Sequence, residues 1–290
     1  MLAHGRHSRL KSRLGPVAEA TAPAPAAPAA LAALAVVAFA ASLTPSPASA
    51  QATTKATTQI LVRVTSHDAK IIGSGVGGAR VTIRDFQTGA ILAEGIQEGS
   101  TGNTSAIMVT PRERGATVYG TDGAAGYLAT LELSQPTMIE ITAEGPLGTP
   151  HAIQRASKTM LAVPGRDVLD EGVLIELIGF TVELRSPAVD ASLAAGTPFT
   201  VSVSVTMLCG CPTEPGGLWN ADDIDVLVRV LDGGKEVATQ PLSFAGTTST
   251  YATQLTVSQT GLLELQVLAL NDDTGNFGMA SRTVVVKPAR

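Results

Sequence analysis

Cysteine is almost absent from this chain of 290 residues, which contains only Cys209 and Cys211. A disulfide framework therefore cannot hold the fold together, and hydrophobic cores must do so. Aromatic residues make up 3% of the chain, which argues against a sugar-binding surface built on aromatic platforms. Histidine is also scarce, since only His67 and His151 follow residue 50. Nucleophilic hydrolysis needs a nucleophile beside a base, so the sequence predicts no enzymatic activity.

Long hydrophobic runs are also few, and the longest one lies near the N-terminus. Arg6, Arg9, Lys11 and Arg13 precede an apolar run over 29–43, which Ala-Ser-Ala closes just before Gln51. A basic start, a short apolar segment and a small-residue cleavage site are typical of a secretory signal peptide. The run is shorter than the roughly 20 residues that cross a bilayer, so we expect no stable membrane span after cleavage. The sequence therefore predicts an exported protein, periplasmic or secreted, with a signal peptide over 1–50.

Positive charge is scarce in the part that would remain after cleavage. Without residues 1–50 the chain has 16 Lys and Arg against 24 Asp and Glu, a net charge of −8. Nucleic-acid binding depends on neutralising phosphates with basic clusters, and docking on anionic lipid needs the same charges. We therefore expect no nucleic-acid partner, and an unidentified protein or envelope component as the partner.

Helical periodicity is hard to find beyond residue 50, whereas alternation with period two is almost continuous. Val201, Val203 and Val205 share one face of a predicted strand, and hydroxyl residues occupy the other. One buried and one wetted face is typical of an antiparallel sandwich. The first half predicts strands over 60–65, 80–85, 91–95, 105–109, 126–133, 138–143 and 173–178. The second half predicts strands over 180–185, 197–211, 224–231, 236–244, 250–258, 262–270 and 279–286.

These strands predict an all-β protein with two consecutive antiparallel β-sandwich domains after the signal peptide. A flexible N-terminal segment is expected over 51–58, the first sandwich over 59–184 and the second over 185–290. Pro187 interrupts strand pairing and suits a short linker at this boundary. The segment 151–168 is ambiguous, because Pro164-Gly165 makes it either a loop or a crossing strand.

Two family resemblances agree with this organisation. The stretch 78–85, with Thr88-Gly89 and the later stretch 138–145, resembles the carboxypeptidase-regulatory-like family. Residues 180–290 are similar to bacterial Ig-like domains, particularly in the ending 268–278. The first resemblance implies a transthyretin-like or CnaB-like seven-stranded sandwich and the second an Ig-like sandwich. Neither family has one conserved activity, so the resemblance implies a scaffold.

The sharpest chemical feature is Met207-x-Cys209-x-Cys211. Side chains two apart on a strand face the same way, so an extended backbone would align a thioether with two thiols, a set suited to copper. Gly210 and Pro212 predict a turn, however, and a disulfide between the two cysteines is the structural alternative. A disulfide, free or intermolecular thiols, and a copper or thiol-redox accessory function all remain open.

A second group of residues is predicted to converge at one end of the second sandwich. In an Ig-type sandwich the B–C and F–G loops lie at the same pole. This would bring the cysteine loop close to Glu214, Trp219, Asn271 and Asn276, which form the candidate binding loops. Oxygen-rich loops can hold calcium. The candidate calcium ligands are the aspartates of the same loops: Asp222, Asp223, Asp225, Asp272 and Asp273.

Solvated turns explain such acidic loops equally well, because Asp, Asn and Gly favour turns for conformational reasons. No cofactor is therefore required by the sequence, and calcium and copper remain alternatives. The sequence as a whole predicts a non-enzymatic binding or structural module of the cell envelope.

Overall fold

The computed structural model describes residues 54–289, so the predicted signal peptide over 1–50 lies outside the described residues. Nearly all regular structure in this part of the chain is β, and most strand pairs are antiparallel, which confirms the predicted all-β class. The strands of the first half are β1 (Ala56–Ser66), β2 (Ala79–Asp85), β3 (Ile91–Gln97), β4 (Tyr127–Leu133), β5 (Thr137–Gly145), β6 (Gln154–Ala162) and β7 (Val168–Leu177). Those of the second half are β8 (Phe180–Ser186), β9 (Ser192–Ala194), β10 (Phe199–Met207), β11 (Asp225–Asp232), β12 (Lys235–Phe244), β13 (Thr250–Leu255), β14 (Gly261–Asn271) and β15 (Asn276–Lys287).

The first seven strands form two sheets that face each other, which we call the first sandwich. One sheet has the order β4-β1-β7 and the other has the order β3-β2-β5-β6. Alternate residues of β1, including Ile60 and Val62, pack against Val81, Ile139 and Ile141 of the opposite sheet in one buried cluster. The period-two pattern is therefore what gives both sheets an apolar inner face.

Strands β8 to β15 form the second sandwich from a single sheet that folds back on itself. Its order is β8-β10-β13-β12-β11-β14-β15-β9. Strand β12 pairs with β11 over most of its length, and with β13 only through Ser243 and Phe244. The sheet turns at this point, so that Val203 on β10 and Leu265 on β14 belong to the same buried cluster.

Four local features of the structure differ from the predictions or decide an alternative that the sequence left open. Residues Ser105–Val109 form a π-helical turn, closed by a 2.7 Å hydrogen bond from Thr110 N to Ser105 O, so the predicted strand there is wrong. The ambiguous segment 151–168 contains a complete edge strand, β6, which pairs with β5 over its whole length. Strand β9, which pairs with β15 in parallel, was not predicted, because three residues carry too little alternation. Strand β1 begins at Ala56, inside the N-terminal segment expected over 51–58.

The long segment between β3 and β4 is held by hydrogen bonds to two polar side chains, the half-buried Glu171 and the buried Arg63. The carboxylate of Glu171 accepts hydrogen bonds from the backbone N–H groups of Val118, Tyr119 and Gly120, at 2.8 to 3.1 Å. Arg63 donates to the carbonyl oxygens of Ala124 and Ala125. Burial lowers the pKa of Arg63, and the nearby carboxylate of Glu171 opposes that shift. These contacts order a segment that has no regular strand.

Candidate functional site

The two sandwiches meet through a small set of loops, which we call the joint. Its first-sandwich side is formed by residues 67–69, which follow β1, and by Val76. Its second-sandwich side is formed by the turn 207–211, which follows β10, with Trp219 and Asn276. Side-chain hydrogen bonds and buried apolar residues connect the two sides, and residues of both sides line one cleft.

Hydrogen bonds connect the two sides at Trp219 and Asn276. The indole Nε1 of Trp219 donates to the carbonyl oxygen of Asp68 at 2.9 Å. The amide Nδ2 of Asn276 donates to the carbonyl oxygen of His67 at 3.3 Å, and its Oδ1 accepts from Gly179 N at 2.8 Å. Asn276 is buried, so each of these partners satisfies a group that water does not reach. Both side chains therefore hold the sandwiches together at the predicted pole.

Two consecutive residues, Met207 and Leu208, belong to the cores of different sandwiches. Met207 belongs to the core of the second sandwich, as its place in the alternation predicts. Leu208 is 0% exposed and belongs to the core of the first sandwich, a buried cluster that also contains residues of β1 and β2. Conversely, Ala69 of the first half packs in the core of the second. Each sandwich therefore buries a residue that the other supplies.

The turn that carries Leu208 also contains both cysteines. Their sulfurs lie at disulfide distance with the Cα atoms 5.4 Å apart, so of the alternatives left open for this pair the structure contains the intramolecular disulfide. Gly210 N donates to Met207 O at 2.8 Å, and Met207 N donates to Cys211 O at 3.0 Å. Gly210 has a φ of 77°, and a Cβ built on it would lie 2.7 Å from Cγ1 of Val76. A side chain at this position would therefore collide with the first sandwich.

A buried polar network centred on Thr213 lies next to this turn in the second sandwich. Thr213 donates to the carbonyl oxygen of Val205 at 2.9 Å and accepts from the hydroxyl of Tyr251 at 3.2 Å. Its backbone N–H donates to the hydroxyl of Ser249 at 3.0 Å. Burial raises the pKa of Tyr251, although the hydrogen bond to Thr213 acts in the opposite direction. The network leaves the turn little freedom to move within the second sandwich.

A cleft opens on the surface of the joint. A cavity of about 120 Å³ is lined by residues of both sandwiches, including Phe180, Met207, Leu218 and Trp219. The aspartates at this cavity are Asp68, Asp223 and Asp273. A neighbouring cavity of about 470 Å³ shares Asp68, Asp273 and Thr274 with the first and extends to His67, Glu176 and Arg112. The joint therefore presents an aromatic and acidic cleft of the kind often found between domains.

The predicted pole brings together only part of the predicted residues. Trp219, Asn271, Asn276, Asp223 and Asp273 all line the smaller cavity. The side chain of Glu214 is exposed, and its backbone closes a turn with Trp219 and Ala221. Asp222, Asp225 and Asp272 are exposed and do not line either cavity of the cleft.

The two predicted metal sites remain predictions. Among residues 54–289 there is no group of three or more His, Cys, Asp or Glu side chains arranged to share a metal ion. Cys209 and Cys211 are bonded to each other and buried, and Met207 packs in the second core. The copper hypothesis therefore applies only to a reduced form of the turn.

Several residues of the joint were missed because they come from the first half. His67 Nδ1 lies 2.9 Å from Oε2 of Glu176, and Asp68 adopts a positive φ of 52°. His151 Nε2 lies 2.8 Å from the carbonyl oxygen of Val182, so both histidines beyond residue 50 lie where the halves meet. Asp68 and Ala69 form a turn after a clear strand, and nothing in their spacing indicates what covers them.

No family model matches the sequence, and no curated protein matches it. Similar solved structures include the fibronectin(III)-like modules of Clostridium thermocellum CbhA, at 13% identity, covering 80% of this chain and 92% of that chain, with a TM-score of 0.27. The titin domains z1z2 in complex with telethonin align at 13% identity over 82% and 99% of the two chains, with a TM-score of 0.24. The ICAM-5 D1–D4 ectodomain fragment aligns at 14% identity over 73% and 46%, with a TM-score of 0.27.

These neighbours are β-sandwich modules of the immunoglobulin and fibronectin(III) type. None of them identifies the carboxypeptidase-regulatory-like subtype expected for residues 59–184. The strands, sheets and cores of the chain itself show two β-sandwiches. No helix within residues 54–289 is both long and apolar enough to span a membrane.

Proposed function

We propose that this chain is an exported, non-enzymatic module of two β-sandwich domains that binds a protein partner at the cell envelope. The cleft at the joint is the observation that carries the proposal. It combines an aromatic wall with carboxylates from both sandwiches, on a scaffold whose two halves are fastened together. Loops that a rigid scaffold positions are where binding residues usually lie.

The charge of the cleft indicates the chemistry of the partner. Asp68, Asp223 and Asp273 line the same cavity as Trp219 and Phe180, and the chain beyond residue 50 has a net charge of −8. A basic side chain can interact favourably with carboxylates and with an aromatic face at the same time. We therefore propose a partner that inserts a lysine or arginine into the cleft. The predicted binding loops then act through Trp219 and Asn271, while Asn276 maintains the joint.

Reversal of charge at the cleft tests this proposal. The unaltered chain is cross-linked in envelope fractions of its host, where we expect it to capture a partner. The Asp223→Lys/Asp273→Lys variant is expected to lose that partner. The loss follows because like charges across an interface repel. Asp232→Lys, at the other end of β11, is the matched control and should retain the partner. Equal capture by all three chains, with unchanged circular dichroism, would rule out the cleft as the binding surface.

Export is tested separately. The full chain expressed in a bacterial host is expected to appear outside the cytoplasm with Gln51 as its N-terminal residue, read by mass spectrometry. A chain lacking residues 1–50 should stay in the cytoplasm, because the basic and apolar segment is the export signal. An unprocessed full-length chain found in the cytoplasm contradicts the predicted export.

A further inference from the structure

One outer sheet face of the second sandwich is apolar where its strand pattern favours polar residues. Strands β12, β11, β14 and β15 are neighbours in this sheet. Along β14 the residues that point away from the core include Glu264 and Gln266, but also Leu268 and Leu270. Solvent-facing positions of an antiparallel sandwich are normally polar, so the two leucines indicate that something covers this end of the face.

The register of the strands joins these leucines to apolar residues of the neighbouring strands. Leu268 lies opposite Leu227 of β11 and Met279 of β15, while Leu270 lies opposite Phe277 of β15. Residues directly opposite each other on one face have Cβ atoms about 4.5 to 5.5 Å apart, so their side chains are in contact. The members of this apolar patch, which spans all four strands, are Leu227, Pro241, Leu268, Leu270, Phe277 and Met279.

The apolar patch is open to solvent and has polar residues at its borders. Phe277 and Met279 are 48% and 50% exposed. In the next row along the strands, Arg229 donates to Oε1 of Gln266 at 2.8 Å. At the other border, the exposed Asp225 begins β11. An apolar centre with a polar border is the usual composition of a surface that binds another protein.

The size of the face fits a weak, reversible contact between two proteins. With the eight residues of β11 at about 3.4 Å each and four strands about 4.8 Å apart, the face covers roughly 500 Å². Weak, reversible complexes bury less than about 1,200 Å² in total, or about 600 Å² on each partner. The occupant must also match the shape of a sheet face, and a second sheet packed face to face does so.

We propose that this face is the contact surface between two copies of the chain. Two-fold symmetry places the apolar patch against itself, so each copy supplies the apolar sheet face that the other needs. In an end-over-end rotation about the row of Leu268, β14 runs antiparallel across β14 of the second copy. Asp225 and Arg229 lie two residues to either side of Leu227, which shares that row. The rotation therefore sets Asp225 against Arg229 of the second copy, and the charges are complementary. This inference does not depend on the cleft proposed above.

Sedimentation velocity of the chain that begins at Gln51, which contains both sandwiches, tests this inference. We expect a monomer–dimer equilibrium in the micromolar range. The Leu268→Glu/Met279→Glu variant places like charges on both sides of the contact, so its dissociation constant should rise by at least about 100-fold. Leu262→Glu is the matched control, because Leu262 is 67% exposed on the same face of β14 but lies outside the apolar patch. The control should associate like the unaltered chain.

Cross-linking gives a second measurement, which also decides the question if the double variant does not fold. Leu268 lies at the rotation axis and meets the same residue of the second copy, so oxidation of the Leu268→Cys variant with copper phenanthroline should link the two copies. The Leu262→Cys variant should not be linked, because the end-over-end rotation carries this end of β14 away from its counterpart. A monomer at every concentration, equal association of folded Glu variants and control, or linking at both positions or at neither would each overturn the inference.

Discussion

Replacing Gln97 by leucine is expected to lower the free energy of unfolding by about 2 to 5 kcal/mol. Gln97 is 0% exposed, and its side chain crosses from β3 to the other sheet. Its Oε1 accepts from Val64 N at 2.7 Å, and its Nε2 donates to the carbonyl oxygens of Val64 and Ile72 at 2.9 and 2.8 Å. Leucine has a similar volume but leaves Val64 N–H and the Ile72 carbonyl buried without these partners.

Chemical denaturation followed by far-ultraviolet circular dichroism measures this loss. Gln87→Leu is the matched control, because Gln87 is exposed in the turn after β2 and should change stability by less than about 0.5 kcal/mol. If the Gln97→Leu chain is as stable as the control, the hydrogen bonds of Gln97 do not contribute to the free energy of unfolding and the prediction is wrong.

The sequence contained a signal for Gln97 that the strand prediction did not use. In the alternation of β3, Ala93 and Gly95 face inward opposite Ile83 and Val81, and Gln97 continues that phase. A glutamine at an inward position indicates a buried amide that must have partners. Its partners could not be predicted, since Val64 and Ile72 are far away in the sequence and meet it only after the sheets pack.

Most strands were predictable because one physical pattern decides them. Alternating apolar residues give each strand one face for a core, and the observed cores use those residues. The strand prediction for 105–109 was wrong because Ile107 packs in a small separate cluster with Ile71 and Ala125, outside both sandwich cores. Asn103 Oδ1 also accepts from Ala106 N at 3.0 Å, which favours a helical turn there. Local capping therefore decided this segment.

The candidate site shows the same division between local and distant information. Trp219, Asn271 and Asn276 were expected to lie close together because loops at one pole of an Ig-type sandwich are neighbours, and this is a property of one domain. The contribution of His67, Asp68 and Ala69 depends on how two domains meet, and no local pattern contains it. Leu208 was nonetheless visible in the sequence. It follows Thr200, Ser202, Ser204 and Thr206 on the solvent-facing phase of β10, and an apolar residue there indicates that something covers it.

Leu208→Ala is therefore expected to weaken the first sandwich, although the residue belongs to a strand-ending turn of the second. Truncating a fully buried leucine costs about 2 to 5 kcal/mol, since transfer energy is lost and a cavity remains. The cavity would lie in the first core, the buried cluster that contains Leu208 and residues of β1 and β2. Hydrogen exchange in those strands should accelerate, and the free energy of unfolding should fall by this amount.

The matched control is Leu262→Ala, because Leu262 is 67% exposed in β14 and its truncation should change stability by less than about 0.5 kcal/mol. Tryptophan emission separates two causes of a loss in the Leu208 variant. If Leu208 joins the sandwiches, the emission of Trp219 should shift to the red before global unfolding begins, because the contact to Asp68 opens with the joint. If exchange accelerates only in β10 and its neighbours β8 and β13, Leu208 stabilises its own sandwich and the shared-core interpretation is wrong.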